Sequence, residues 1–328
     1  MIRFAVIGAG HLGSIHISLL PTHNNVQVAC VVDPDEQRGR AVAEGVGAVW
    51  VPRVDAMPAV DAVVIAAPTT YHHELATHCL LRGIHTFIEK PVTATYAQAT
   101  ELMNLAAQSG CIVQVGHIER FNPALTALAD FALKPLFIEG HRLSTFKPRA
   151  IDVSVVQDLM IHDIDLLLWM TKSTVTDIQA TGVAVLTQTP DIANARLTFQ
   201  NGCVANLTAS RISAKPMRKL RLFQNESYIS IDLAQSTAEM FRLIDQSDLN
   251  PGRQVSLGNI TTQFGNKVIV LETPAVQPAN AIAQEQASFL RSITTNGSSA
   301  VTVEEAAEAV RIAEQIEAAM AATVPHIS

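Results

Sequence analysis

The sequence predicts two domains: an α/β domain with a doubly wound parallel sheet, then an α+β domain with a large open, mainly antiparallel sheet. In the first part of the chain, short apolar runs alternate with amphipathic stretches, a pattern typical of strands alternating with helices. Past Asn122-Pro123, apolar and polar residues alternate one by one, as in strands with one covered face. At 328 residues the chain is long for one domain, so we assign 1–120 and 121–328 to the two.

A glycine-rich turn near the start of the chain predicts the ligand of the first domain. An apolar run from Ile2 leads directly into Gly8, Gly10 and Gly13, and a helix pattern follows. Glycines at this spacing permit a tight turn, close approach of a pyrophosphate to the backbone, and close packing of helix on strand. A second predicted strand ends at Asp33, about 20 positions past the last glycine, where an acidic side chain holds the ribose of NAD. A simple glycine turn beside a surface Asp is the alternative; the combined pattern favours a Rossmann-type domain that binds NAD.

Composition excludes several classes of protein. Charged residues make up 16% of the chain and mean hydropathy is +0.23, which suits a sheet buried on both faces. No apolar run approaches membrane-spanning length and no export signal is visible, so we expect a soluble, cytoplasmic protein without membrane partners. The net charge of −7 is spread without blocks, which argues against a nucleic-acid partner. Four cysteines in apolar patterns, without C-x-x-C, indicate buried reduced thiols.

The remaining elements of the first domain place three polar segments at strand ends. Ligands of parallel sheets lie beyond the carboxyl ends of the strands, so these segments should share one rim. The segments are Pro68-Thr69-Thr70, Glu89-Lys90-Pro91 and Gly116-His117. The predicted strands are Val26–Val32, Asp61–Ala67, Ile84–Ile88 and Cys111–Val115, with helices at Thr70–Leu81 and Tyr96–Gln108.

The second domain is predicted as a meandering sheet with flanking helices. Asn201-Gly202 separates two alternating runs and predicts a hairpin turn. Thr302 and Glu305 form a capping-box pattern at the start of the last helix. The predicted helices are Pro123–Ala132, Val155–Met170, Asn280–Thr294 and Val303–Ala322, with a loop at Ser144–Asp152 and a linker at Pro274–Ala279. The predicted strands are Leu136–Leu143, Ala193–Phe199, Cys203–Ala209, Met217–Phe223 and Tyr228–Leu233.

Two groups of residues suggest catalytic chemistry. Lys90 follows a central strand beside the expected nicotinamide position, although an ordinary surface lysine is an equal alternative there. Asp158, His162 and Asp165 occupy positions i, i+4 and i+7 of one predicted helix and should share a face. His162 then acts as a general base, or ligates a metal, or is a core histidine paired to Asp165. The metal alternative is weak because no further His or Cys lies at ligand spacing.

These residues together resemble the Gfo/Idh/MocA family of sugar and cyclitol oxidoreductases over essentially the whole chain. The resemblance implies an NAD-dependent oxidoreductase acting on a CH–OH group. It also implies C-terminal helices packed on the first domain, and a homo-oligomer (dimer or tetramer) formed through the open sheet. The matching motifs are G-x-G-x-x-G-x-x-H (Gly8, Gly10, Gly13, His16), Pro-Thr with a following His (Pro68, Thr69, His72), E-K-P with a cis peptide expected (Glu89, Lys90, Pro91) and D-x-x-x-H-x-x-D (Asp158, His162, Asp165).

The same resemblance implies roles for individual residues. Lys90 and His162 are implied as the catalytic pair, and Asp158 as the residue that positions the substrate. The implied cofactor-binding residues are Gly8, Gly10, His11, Leu12, Asp33, Pro68, Thr69, His72, Glu89 and Lys90. The implied substrate-binding residues are Lys90, His117, Arg120, Asn122, Lys147, Arg149, Asp158 and His162.

Two stretches narrow the expected substrate. Gly116–Pro123 and Asp158–Asp165 are similar to the branch of the family that oxidises the C3 hydroxyl of UDP-N-acetylglucosamine ahead of a transaminase. A nucleotide sugar needs cations for its diphosphate, and Arg142, Lys147 and Arg149 are the candidates, unless they only solubilise a surface loop. The glycine cluster that many relatives carry before Asp158 is replaced by 152–157, which indicates a more specialised substrate loop.

The alternatives for function are a free polyol or simple sugar as substrate, or a non-catalytic NAD-sensing regulator. The full set of Lys90, Asp158 and His162 argues against a sensor, which has no use for catalytic groups. NAD is expected over NADP because Asp33 would repel a 2′-phosphate, with Arg38 and Arg40 expected to face solvent. The sheet from Thr176 to Leu233 has few helices to cover both faces, which independently favours packing of sheets from two subunits.

Overall fold

The first unit is built on the predicted parallel sheet. The computed structural model describes residues 1–146, 153–263 and 265–323, and the first unit comprises Met1–Ile118 with Asn280–Arg311. Its six strands pair in parallel in the order β3-β2-β1-β4-β5-β6, which confirms the doubly wound arrangement. The strands are β1 (Ile2–Ile7), β2 (Val26–Val32), β3 (Val49–Val51), β4 (Ala62–Ile65), β5 (His85–Glu89) and β6 (Val113–Gly116). The helices between them are α1 (His11–Leu19), α2 (Glu36–Glu44), α3 (His72–Leu80) and α4 (Tyr96–Ser109).

The second unit is built on a nine-stranded sheet. It comprises two ranges of the chain, Glu119–Ala279 and Ile312–Ser328. Its order is β14-β15-β13-β12-β11-β7-β10-β9-β8, and all described pairs are antiparallel except β7 with β10. The strands are β7 (Phe137–Leu143), β8 (Val175–Val183), β9 (Ile192–Phe199), β10 (Val204–Ser210), β11 (Met217–Gln224), β12 (Ser227–Asp232), β13 (Thr237–Ile244), β14 (Gln254–Thr262) and β15 (Gly265–Glu272). Its helices are α5 (Pro123–Thr126) and α6 (Ile161–Thr171), with a π-helical turn at Val156–Met160.

Two long helices come from the last part of the chain, α7 (Ala281–Thr295) and α8 (Val303–Thr323). Phe289 of α7 belongs to the core of the first unit, where its ring centroid lies 6.2 Å from that of Phe4 and 5.8 Å from that of Phe87. The predicted capping box of α8 is confirmed. Glu305 Oε2 accepts the Thr302 N–H at 3.1 Å, and Thr302 Oγ1 accepts the Glu305 N–H at 3.3 Å.

The alternation of apolar and polar residues in the strands of the second unit matches the alternation of buried and exposed side chains. Ala193, Ala195, Leu197 and Phe199 of β9 are buried, whereas Asn194 and Arg196 between them are exposed. Gly202 follows at a φ of +86°, and its N–H donates to the Phe199 carbonyl at 2.9 Å, which confirms the predicted hairpin turn. One face of this sheet is therefore apolar and covered, while the other carries polar and aromatic side chains.

Three features differ from the predicted elements. The predicted helix Pro123–Ala132 ends at Thr126, after which hydrogen bonds change to the i to i+3 type, such as Leu128 N–H to Leu125 carbonyl at 3.0 Å. The predicted helix from Val155 begins with the π-helical turn instead of a regular α-helical one. Strands β3, β13, β14 and β15 were not predicted. In β14, Val255 and Leu257 alternate with polar residues, but a register shift between Ser256 and Gly258 interrupts the pattern before Ile260.

The cysteine prediction is confirmed: all four thiols are free, and Cys30, Cys79 and Cys203 are buried. Burial raises the pKa of Cys30 and Cys203 to about 11 and that of Cys79 to about 12, so these thiols stay protonated near neutral pH. Within the described ranges, no helix has the length and apolarity needed to cross a membrane. The same residues contain no cluster of three His, Cys, Asp or Glu side chains arranged around a possible metal ion.

Candidate active site

The glycine turn joins β1 to α1 and is tightly packed at two of its three glycines, Gly8 and Gly13. Gly8 has a φ of +98°, and a Cβ there would lie 2.7 Å from the Ala66 carbonyl oxygen. A Cβ on Gly13 would lie 1.8 Å from the Gly8 carbonyl oxygen, so only glycine lets α1 start this close to β1. A Cβ on Gly10 would meet nothing within 4 Å, because this side of the turn is open. The turn thus combines a fixed backbone with an open face at the N-terminus of α1, as a bound pyrophosphate requires.

Asp33 fixes the end of β2 to this turn. Its carboxylate is 2% exposed and accepts the Ala9 N–H at 2.7 Å and the Asp35 N–H at 2.9 Å. Burial alone would raise the pKa of Asp33, but hydrogen bonds from Arg38, Ala9 and Asp35 outweigh it and hold the pKa below its usual value. The carboxylate is therefore ionised beside the glycine turn. Its position fits the acidic residue that binds the ribose of NAD.

Arg38 is about half exposed, as expected, but its guanidinium also pairs with the buried Asp33 carboxylate, which was not predicted. Its Nη2 donates to Asp33 Oδ1 at 2.7 Å and its Nε to Asp33 Oδ2 at 3.2 Å. Arg38 lies in the first turn of α2, and helical side chains lean toward the N-terminus, which brings the guanidinium back over the end of β2. Arg40 is more than half exposed, as expected, and pairs with Glu36 at 2.8 Å.

His72 anchors the segment Pro68-Thr69-Thr70, which follows β4. Its ring is buried between two carbonyl oxygens, with Nδ1 2.8 Å from Pro91 O and Nε2 2.8 Å from Ala67 O. Burial lowers the pKa of His72 below its usual value, although the hydrogen bonds to the two carbonyl oxygens act in the opposite direction. The imidazole joins the segment that holds Pro68 and Thr69 to the E-K-P segment, whose Lys90–Pro91 peptide is cis as expected.

The E-K-P segment is itself largely enclosed. Glu89 is 9% exposed, and its Oε2 accepts the Lys90 backbone N–H at 3.3 Å. Lys90 is half-buried, and His117, which follows β6, is 1% exposed. Of the other predicted cofactor residues, His11 and Leu12 start α1 and are exposed.

In the second unit, the predicted D-x-x-x-H-x-x-D residues fall in two surroundings. Asp158 lies in the π-helical turn and His162 in the first turn of α6, and both are half-buried. Asp165 is 1% exposed and accepts from Arg120 twice, with Nε to Oδ2 at 2.9 Å and Nη2 to Oδ1 at 2.6 Å. The guanidinium of Arg120, predicted to bind substrate, is thus held by a carboxylate of α6.

A buried ion-pair cluster links α6 to β7 and consists of Arg142, Asp163 and Glu119. Arg142 is 3% exposed and donates to Asp163 from Nε at 2.9 Å and from Nη2 at 2.8 Å, and to Glu119 from Nη1 at 2.8 Å. Burial alone would lower the pKa of Arg142, but these two carboxylates raise it above its usual value, so the charge persists. Asn122, another predicted substrate residue, donates to Glu119 Oε2 at 3.1 Å and to the Leu233 carbonyl at 2.9 Å.

The prediction that Arg142 neutralises a diphosphate is therefore wrong, because its guanidinium is buried between carboxylates. Lys147 and Arg149 lie outside the described residues. The roles of Glu119 and Asp163 were missed by the sequence reasoning. The sequence did contain a signal for these ion pairs. Glu119 and Arg120 are adjacent in the stretch Gly116–Pro123, and Asp163 and Asp165 interrupt an otherwise apolar helix.

The glycine turn, the ionised Asp33 and the parallel sheet define a dinucleotide-binding protein. The model of the oxidoreductase family with an NAD-binding Rossmann fold matches residues 2–117, and that of the GFO/IDH/MocA C-terminal domain matches residues 136–229. The chain belongs to the Gfo/Idh/MocA oxidoreductase family, and NAD is its cofactor.

Three relatives indicate the range of activities among similar proteins. A UDP-N-acetylglucosamine 3-dehydrogenase of Acidithiobacillus ferrooxidans is 39% identical over 241 residues, which are 73% of this chain and 76% of that protein. A solved structure of the enzyme of that name and organism matches with a TM-score of 0.87 and 32% identity over 98% of each chain. The scyllo-inositol 2-dehydrogenase (NAD(+)) of Bacillus subtilis is 28% identical over 65% of this chain and 68% of that protein.

We expect kcat/KM to be higher with NAD than with NADP, because the ionised Asp33 repels a 2′-phosphate. The change Asp33→Ser should narrow the ratio by about tenfold or more, since it removes the repulsion and frees the adjacent Arg38 guanidinium for the phosphate. Steady-state kinetics with both cofactors measures the ratio. The double change Asp33→Ser with Arg38→Gln should lose much of the gain in NADP use, whereas Asp33→Ser with Arg40→Gln should keep it. Equal kcat/KM for both cofactors in the wild type would contradict the expectation.

The buried cluster should be costly to disrupt. Asp163→Asn removes one carboxylate from a guanidinium that is buried, and the expected loss of unfolding free energy is about 3–5 kcal/mol. Chemical denaturation followed by circular dichroism measures this loss. The matched control is Asp55→Asn, the same substitution in an exposed pair with Arg53, for which a loss of under about 1 kcal/mol is expected. Equal losses in the two variants would show that the Arg142 pair is energetically no different from a surface pair.

Proposed function

We propose that this protein oxidises the C3 hydroxyl of UDP-N-acetylglucosamine to the 3-keto sugar, with NAD as the hydride acceptor and a transaminase as consumer of the product. The observation that carries the proposal is the similarity to the Acidithiobacillus ferrooxidans enzyme, which extends through both units of the chain. The two signature stretches at Gly116–Pro123 and Asp158–Asp165 support the same substrate.

The reaction removes two electrons and two hydrogens from one carbon–oxygen unit. NAD, when bound, would supply the acceptor for the C3 hydrogen, which leaves as a hydride. The proton of the C3 hydroxyl then needs a base, and a neutral imidazole suits this role because its ordinary pKa is near 6.5. We assign His162 as this base and Lys90 as the group that orients and polarises the hydroxyl by donating a hydrogen bond to its oxygen. Asp158 positions the sugar in this proposal.

The nucleotide part of the substrate needs cations for its diphosphate. The guanidinium groups of Arg142 and Arg120 are already bound to carboxylates inside the second unit. The proposal therefore assigns the diphosphate to Lys147 and Arg149, through charge-assisted hydrogen bonds. Binding energy from this remote part of the substrate serves to hold C3–H against the nicotinamide.

The substrate is tested by assaying NADH formation with UDP-N-acetylglucosamine, free N-acetylglucosamine and myo-inositol. We expect turnover of the nucleotide sugar, and a loss of kcat as well as affinity with the free sugar, because the remote contacts are missing. The inositol dehydrogenases among the relatives make a polyol the second candidate substrate. Turnover of inositol with none of the UDP-sugar would replace the proposed function by that alternative.

Removal of the proposed base should abolish most turnover while leaving the cofactor bound. His162→Ala and Lys90→Ala should each lower kcat by about 10²–10⁴, the usual effect of losing an acid–base group. Calorimetric titration with NAD should give dissociation constants close to that of the wild type. His141→Ala, which changes a half-buried histidine of β7, and Lys219→Ala, at an exposed lysine of β11, serve as controls. Near-normal kcat in His162→Ala would reassign the base to Lys90.

We also propose a homo-oligomer, a dimer or tetramer, formed through the open face of the nine-stranded sheet. Support comes from four aromatic rings that cross this face in a row, with successive centroids 5.8, 4.9 and 5.5 Å apart. Phe223, in this row, is 36% exposed, and a row of partly exposed aromatic rings is typical of an interface. The row consists of Phe137, Phe223, Tyr228 and Phe241.

Light scattering at micromolar concentration should report at least twice the mass of one chain. Phe223→Glu, which places a charge in the aromatic row, should shift the mass toward one chain. Leu81→Glu, at a residue of the first unit that is 71% exposed, should leave the mass unchanged. A wild-type monomer at this concentration would refute the assembly.

A further inference from the structure

A chain of buried side chains within the first unit leads to the backbone of Lys90. His16, on α1, is 0% exposed and packs against the ring of Phe87, with centroids 5.3 Å apart. Its Nε2 lies 2.8 Å from Glu89 Oε1, and its Nδ1 lies 2.9 Å from the amide nitrogen of Gln286 on α7. Gln286 is itself 2% exposed. It stands far from every motif in the sequence, and no sequence signal pointed to it.

The neighbours of Gln286 determine which way its amide faces. Its nitrogen also approaches the His16 carbonyl oxygen at 3.4 Å, and its oxygen lies 3.1 Å from Nε2 of His23. A carbonyl oxygen only accepts hydrogen bonds, so the amide nitrogen must be on the His16 side. Gln286 therefore donates to His16 Nδ1, which is unprotonated. The proton of the neutral imidazole is then on Nε2 and is donated to Glu89.

The carboxylate of Glu89 transmits this arrangement to Lys90. Oε1 accepts from His16 at 2.8 Å, while Oε2 accepts the Lys90 backbone N–H at 3.3 Å. A Cβ on Gly116 would lie 3.0 Å from that same Oε2, so the carboxylate occupies a closely fitted niche. With one oxygen held by His16, the other is placed to hold the peptide from which the Lys90 side chain extends.

We propose that Gln286 is a positioning residue for Lys90: it holds the His16 ring with Nε2–H directed at Glu89, and His16 in turn orients Glu89 and the Lys90 backbone. The role of Lys90 on which this depends belongs to the proposed function. A residue of the C-terminal segment thereby completes the E-K-P segment of the nucleotide-binding unit. If Nδ1 lost its donor, its lone pair would be buried without a partner, and the ring would be free to turn away from the Glu89 carboxylate.

The test compares Gln286→Met with Gln284→Met. Methionine has nearly the length of glutamine but neither donates nor accepts strong hydrogen bonds, and Gln284 is an exposed residue of the same helix. Long-range ¹H–¹⁵N spectra of histidine-labelled protein report the tautomer of His16, whose signals are assigned by their loss in His16→Gln. Kinetics use whichever substrate of the panel the wild type turns over. A failure of UDP-sugar turnover would therefore refute the proposed function and leave this test intact.

We expect the wild type and Gln284→Met to show the Nε2–H tautomer and equal kcat. Gln286→Met should shift the ring ¹⁵N signals of His16 and lower kcat by about 10–10²-fold, the usual effect of slight misplacement of a reacting group, with KM for NAD within about twofold. A purely structural role would lower the melting temperature without changing the His16 signals or kcat per folded molecule. An Nδ1–H tautomer in the wild type, or a kcat within about twofold in Gln286→Met, would overturn the proposal.

If Gln286→Met does not fold, His23→Ala takes its place, because His23 is half-exposed and anchors the far end of the same chain of hydrogen bonds. Loosening the Gln286 amide should lower kcat several-fold at unchanged KM for NAD. An unchanged kcat in this variant would also overturn the proposal.

Discussion

The second unit depends on one buried guanidinium. Arg142 extends from β7 toward α6 and the segment that begins the unit, and its three nitrogens each donate to a carboxylate. Three separate parts of the chain meet at this charge, and none of them can move without leaving a charge unpaired away from water. The half-buried His162 stands beside Asp163 in sequence, so its helix is held by this buried ion pair as well as by that of Arg120 with Asp165. Rigid support of this kind would hold the proposed base at a defined distance from the substrate proton.

The first unit also holds its carboxylates in fixed positions, but mainly with neutral donors and with one exposed cation, Arg38. The Asp33 carboxylate accepts two backbone N–H groups and the Arg38 guanidinium, so it is both ionised and fixed at the glycine turn. Glu89 is oriented by an imidazole and a backbone N–H. Each carboxylate thus joins two segments that are distant in sequence. In both units the polar groups that hold these segments are buried, whereas Lys90, Asp158 and His162 are half-buried.

The sequence predicted those features that obey local rules. The glycine turn, the hairpin at Asn201-Gly202 and the capping box at Thr302 each depend on a few adjacent residues, and each was found in place. Pairings across long stretches of chain were not accessible in this way. Arg142 was assigned to a diphosphate because a cation near a predicted loop gives no sign of the carboxylates it will meet. The pairing of Arg38 with Asp33 was missed because the direction of a side chain in the first helical turn depends on where the preceding strand ends. Strand β14 was missed because a register shift between Ser256 and Gly258 interrupts the alternation of its apolar residues.

The departure from the family pattern before Asp158 has a physical account within the second unit. Where many relatives carry glycines, this chain has Ser154 and Gln157, and both side chains bond to the Glu317 carboxylate of α8. Ser154 Oγ also accepts the Gln157 N–H at 3.2 Å, and Val155 and Val156 between them are fully buried. A glycine segment costs more to order, since glycine loses more conformational freedom on ordering than any other residue. Here the approach to the π-helical turn is ordered by a carboxylate and two apolar side chains. In the proposed function Asp158 positions the sugar, and such a fixed starting position would lower the entropic cost of holding the sugar and narrow the range of sugars that fit.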